Sequence, residues 1–110
     1  MSILIIINLV VLHFFADFVL QSDAVAKSKS KSLKALGVHV AIYTTVFLII
    51  GFWFAVVSGV LHAIVDYFTS KWTSRLWAEG RVHDFFVVIG FDQMLHIVSL
   101  IVVYTIVGGW

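Results

Sequence analysis

Three His–Asp pairs in this chain share one spacing. His13-x-x-x-Asp17 and His62-x-x-x-Asp66 run in one order, Asp92-x-x-x-His96 in the other, and His39-x-x-x-Tyr43 adds a fourth polar pair. On a helix an i,i+4 spacing puts both side chains on one face, so each pair marks a polar stripe. Imidazole and carboxylate together are a ligand set for zinc, iron or manganese. Four His and three Asp suffice for one or two divalent ions, and a two-metal centre of this kind polarises an ester or phosphoryl oxygen for hydrolysis. Asp17, Asp66 and Asp92 with His13, His62 and His96 are the candidate ligands. His39 has no carboxylate on its own stripe and reads equally as ligand or as packing residue. Gln21 continues the first stripe and Gln93 shares the face of Asp92 and His96; with the Tyr43 phenol, these fit roles that orient ligands.

The segments carrying these pairs are apolar. Of 110 residues, 62% are hydrophobic and 12% charged, with no Cys and no Pro, and the mean hydropathy is +1.10. A soluble domain carries about a quarter charged residues, so a water-exposed surface and a disordered chain are both excluded. Without Cys there are no disulfides, zinc-thiolate sites or iron–sulfur clusters. A net charge of +1 gives no reason to expect nucleic acid as a partner; the expected partner is the lipid bilayer, with a homo-oligomer as a further assembly.

A membrane span needs about 20 mostly apolar residues. The chain offers residues 3–21, 34–50, 53–70 and 84–108, with Gly51 as the turn that splits the long apolar run 35–69. We expect one all-α domain over residues 1–110, an integral membrane four-helix bundle. Lys27, Lys29, Lys31 and Lys34 precede the second span, and Lys71, Arg75 and Arg81 precede the fourth, whereas the other side carries no Lys or Arg. The positive-inside rule then places the basic loops 22–33 and 71–83 in the cytoplasm of an inner (plasma) membrane protein, with both termini on the non-cytoplasmic side. The Ser–Lys alternation of residues 28–32 reads as a solvated loop touching headgroups. Trp72–Trp77 reads as a short interfacial helix, and Asn8 as an interhelical hydrogen-bonding residue. Gly59-x-x-x-Ala63 is a small-residue contact within the bundle or between copies.

Ionisable groups inside a span cost about 2.5–3.5 kcal/mol each on the insertion scale, and by default they are functional. Half of the six acidic residues lie there. Counted inward at about 1.5 Å per residue, the pairs of all four spans fall in one layer of the cytoplasmic half. Structural pairing, a proton or ion path, b-type haem held by two His in an electron carrier and a membrane-active structural protein that works by assembling are the competing readings.

His13-Phe-Phe-Ala-Asp17-Phe-Val-Leu-Gln21 with Lys27 downstream, His39-x-x-x-Tyr43, His62-x-x-x-Asp66-x-x-x-x-Lys71 and Phe91-Asp92-Gln93-x-x-His96 together resemble a family of small bacterial and phage membrane proteins known as domain of unknown function 3307. The resemblance covers nearly the whole chain and implies which residues matter, without implying a reaction. A looser similarity, in polar motifs only, is to inner-membrane metal-dependent hydrolases. Lys27 and Lys71 fall at the cytoplasmic mouth of the expected site, where they would meet an anionic headgroup or serve as snorkelling anchors.

Overall fold

A computed structural model describes residues 1–110 and is all-helical, with no strand. Helix α1 (Ile3–Phe14) starts at Ser2, whose hydroxyl accepts from the Ile5 amide. It passes directly into a π-helical turn over Phe15–Val19. The short α2 (Asp23–Ser28) and the longer α3 (Leu33–Phe47) are capped in the same way by Ser22 and Ser32. Each of these serine oxygens satisfies an amide that the helix geometry leaves without a partner. Helices α4 (Phe52–Ala78) and α5 (Val82–Val107) complete the chain.

Helix α4 packs along both α3 and α5, and α1 closes against α3 and α5. Gly51 reverses the chain between α3 and α4, as the sequence leads one to expect. A Cβ at Gly51 would stand 3.0–3.2 Å from the Gly109 and Trp110 backbone. The C-terminal residues are tied to this turn by hydrogen bonds from the Trp110 amide to Ile50 O (3.0 Å) and from its indole to Leu48 O (2.9 Å).

Two of the expected boundaries move. Residues 71–83 do not form a loop with a separate interfacial helix: α4 runs unbroken through Trp72–Trp77 to Ala78, leaving three residues before α5. Thr69, Ser70, Thr73 and Leu76 are all buried, so the inward face extends past the apolar run and keeps the helix wound. Residues 22–33 likewise contain α2. Helices α4 and α5 are long and apolar enough to cross a membrane, whereas Ile3–Val19 and Leu33–Phe47 are apolar but shorter. Asn8 does not reach a neighbouring helix; its amide donates to Leu4 O of its own helix at 2.9 Å.

The distribution of side chains is inverted relative to a soluble protein. Eleven of the 24 buried residues are polar or charged, while Ile3, Phe68, Phe86 and Ile106 stand more than 60% exposed. Exposed apolar surface of this extent marks contact with a membrane or a partner. The apolar core (Leu9, Phe47, Phe54, Leu100, Val103) fills the half of the structure beside the Gly51 turn, and the polar residues fill the other half.

Gly59 settles the small-residue motif as an internal contact, because a Cβ there would overlap the Thr44 hydroxyl of α3 and approach Thr44 Cβ to 3.3 Å. Threonine is stiff at χ1, so α3 and α4 have to separate to admit a larger residue. Gly59→Val is expected to destabilise the fold by about 1–3 kcal/mol, whereas Gly37→Val, where a Cβ meets nothing within 4 Å, should cost far less. Thermal unfolding in detergent compares the two; equal melting points would refute the packing argument.

Candidate metal centre

The π turn carries Asp17. Its signature is the Leu20 amide donating to Phe15 O at 2.9 Å, five residues back, and such turns concentrate at functional sites. It brings Asp17 to face α3 and α4 at once. Asp17 Oδ1 lies 2.8 Å from His39 Nε2 and 3.4 Å from His62 Nε2. Asp66 Oδ2 lies 3.4 Å from each of the same two nitrogens, and the two nitrogens are 2.9 Å apart. All four side chains are buried, and their ligand atoms lie within 4.8 Å of one another.

Tetrahedral zinc with nitrogen and oxygen ligands at about 2.0–2.2 Å has ligand–ligand edges of about 3.3–3.6 Å. Three of these five separations are 3.4 Å; the other two need to open by roughly half an ångström to reach that edge. The donor set also favours an ion. At most one proton can lie between the facing His39 and His62 nitrogens, and a cation satisfies both lone pairs at once. His39 Nδ1 and His62 Nδ1, buried on the far side of each ring, have no hydrogen-bond partner, so these rings lack the carboxylate or carbonyl that usually orients a ligating His. Stacking takes over that task for His62, whose ring centroid lies 3.8 Å from that of Tyr43 and 4.0 Å from that of His96.

Asp17, Asp92 and His96 form a second group of the same kind. His96 Nε2 lies 3.1 Å from both Asp66 Oδ1 and Asp92 Oδ1. Asp66 therefore turns one oxygen to each group, and Asp17 belongs to both. Two adjacent groups of this kind on facing helices would suit a pair of ions.

The remaining residues of the sequence reading divide. Gln93 donates from Nε2 to Asp17 Oδ2 and to Asp92 Oδ2, both at 3.1 Å. Carboxylates only accept, so Gln93 Oε1 must face His13, and His13 Nε2 must donate to it at 2.7 Å. His13 Nδ1 then accepts from the Tyr43 hydroxyl at 3.2 Å. Both ring nitrogens of His13 are thus engaged with Gln93 and Tyr43, and His13 stands outside both groups. His39, left open between two roles by its stripe, is a full member of the first group. Gln21 lines the adjoining cavity without touching a ligand.

Two residues escaped the sequence reading. Lys29, in a Ser–Lys stretch that reads as a solvated loop, reaches inward to Asp66 Oδ2 at 2.9 Å. Thr69 donates to Asp92 Oδ1; it sits one helical turn beyond Asp66 on the stripe of His62, which is the signal that would have found it. Of the two lysines singled out, Lys27 lines the cavity. Lys71 turns away, donating to Ser30 O at 3.0 Å and lying over the Tyr67 ring.

A cavity of about 520 Å³ reaches the cluster between the π turn, α2, the end of α4 and the start of α5. Asp17, Asp92 and Gln93 of the cluster line it, as do Lys27, Lys29, Ser74 and the aromatic Trp77 and Phe85.

An all-helical chain with an apolar exterior and a buried His/Asp cluster able to hold a metal ion defines the class of this protein. It belongs to the family described as "Protein of unknown function (DUF3307)", which matches residues 5–109. No curated protein and no solved structure matches the chain.

Proposed function

We propose that this chain is an integral membrane four-helix protein of the inner membrane that holds one or two zinc, iron or manganese ions and hydrolyses a lipid or lipid-linked phosphate or ester. α1, α3, α4 and α5 would be the spans, with the basic segments 22–33 and 71–83 in the cytoplasm and both termini on the other side. The observation that carries the reading is the convergence of Asp17, His39, His62 and Asp66, with ligand atoms within 4.8 Å of one another, beside a cavity of ligand size. A divalent ion held there supplies Lewis-acid polarisation of a phosphoryl or acyl oxygen. The chain's own part is to fix the ligands. Gln93 locks Asp17 to Asp92, the Thr69 hydroxyl holds Asp92, and stacking holds His62.

The alternatives fare less well. Haem needs a planar macrocycle between two His, and His39 and His62 stand 2.9 Å apart, so a b-type haem would have to part them. A proton or ion path has to continue across the membrane, and here the apolar core of Leu9, Phe47, Phe54 and Leu100 lies beyond the cluster.

Metal content by mass spectrometry on protein purified in detergent without chelator, with an absorption spectrum, tests the proposal. One or two ions per chain and no Soret band are expected. A metal-free protein that takes up no added zinc, iron or manganese would end the hydrolase reading.

A further inference from the structure

Lys29 and Asp66 make an arrangement that the metal centre alone does not explain. The Lys29 ammonium sits 2.9 Å from Asp66 Oδ2, the same oxygen that faces both His39 Nε2 and His62 Nε2 at 3.4 Å. A divalent ion bound among those atoms and the ammonium would compete for one oxygen at a separation where like charges repel strongly. On metal binding the ammonium has to leave Asp66, and its flexible stem lets it move into the cavity that it already lines.

There it meets partners suited to an anion, beside the Asp17 and Asp92 carboxylates whose charge a bound metal ion would offset. Lys27 lines the same cavity and has a second ammonium to offer it. Ser30 and Ser74 face each other at 3.2 Å, which uses only one of their two hydroxyl protons and leaves the other to donate outward. Two point charges and a hydroxyl match the three outer oxygens of a phosphate, whereas a neutral carboxylic ester has no use for two cations. The same cavity is also lined by four aromatic side chains, Phe18, Trp77, Phe85 and Phe86, which would take a hydrocarbon chain.

We propose that this cavity is a binding site for an amphiphile bearing a phosphate monoester, with Lys27 and Lys29 gripping the phosphate and the aromatic wall holding the chain. The proposal rests on the hydrolase reading for its connection to chemistry, but the binding itself can be tested separately.

Full-length protein in nanodiscs would be titrated with dodecylphosphonate, inorganic phosphate and dodecanol, in the metal-loaded state and after chelation. Dodecylphosphonate is expected to saturate one site, tighter with metal than without. Its affinity should fall about tenfold or more in Lys29→Gln, the loss of one charge-assisted contact, with metal content retained. Lys27→Gln, at an exposed position that places no demand on folding, should weaken it several-fold. Inorganic phosphate binding as tightly as the phosphonate would remove the role of the aromatic wall. Dodecanol binding as tightly, or a phosphonate affinity unchanged in both variants, would remove the phosphate site. Lys-dependent phosphonate binding to a protein that holds no metal would keep this proposal and overturn the hydrolase reading.

Discussion

Asp66→Asn is expected to empty both metal positions while leaving the helical fold in place. Asp66 is the carboxylate with one oxygen toward His39 and His62 and the other toward His96. Asparagine keeps the shape but loses the negative charge and replaces one acceptor with a donor. Residues that merely orient a ligand are worth about 10–100-fold in metal affinity, so a shared ligand should cost more than about 100-fold. The buried Lys29–Asp66 pair is broken as well, a change that costs about 3–5 kcal/mol where the stranded charge cannot move. Lys29 can move, because it is partly exposed and borders the cavity, and the substitution also relieves repulsion between Asp66 and Asp17. Metal stoichiometry should therefore collapse while circular dichroism and gel-filtration behaviour stay close to those of the parent. Asp84→Asn provides the control: Asp84 pairs with Arg81 at the exposed start of α5 and touches neither group. Full stoichiometry in the Asp66 variant would show that the cluster is not the metal site.

Chelation should lower the melting temperature of the parent protein and leave that of Asp66→Asn unchanged. Asp17, Asp66 and Asp92 are all buried, and Lys29 is the one ammonium in contact with them. An ion that binds only the folded chain stabilises it by RT ln(1 + [L]/Kd), about 4 kcal/mol at a thousandfold excess over Kd. That is a large share of the roughly 5–15 kcal/mol that holds a typical domain together. The sign follows from which state binds: removing the ion withdraws stability from the native state alone, so the midpoint falls and returns when the ion is restored. Identical melting curves for metal-loaded and chelated parent protein would contradict the assignment of the cluster as a metal centre.

The residues of the candidate centre were largely legible in the sequence because helix geometry converts spacing into direction. His62 and Asp66, or Asp92 and His96, must share a face once their segments are helical, and the cost of placing acids among apolar residues marks those faces as inward. The all-α class and the turn at Gly51 follow from the same apolar runs. Spacing says nothing about partners on other helices. Only the packed chain shows that His39 joins Asp17 and His62, that Tyr43 and Gln93 take up both nitrogens of His13, and that a π turn aims Asp17. Lys29 is the clearest case: in sequence it belongs to a Ser–Lys stretch typical of solvated loops, and in the fold α2 carries it back against Asp66. Helix period acts within about a turn and can be read along the chain. Which ends of which helices meet is decided by long-range packing, and that is where the ammonium, the cavity and the two ligand groups come together.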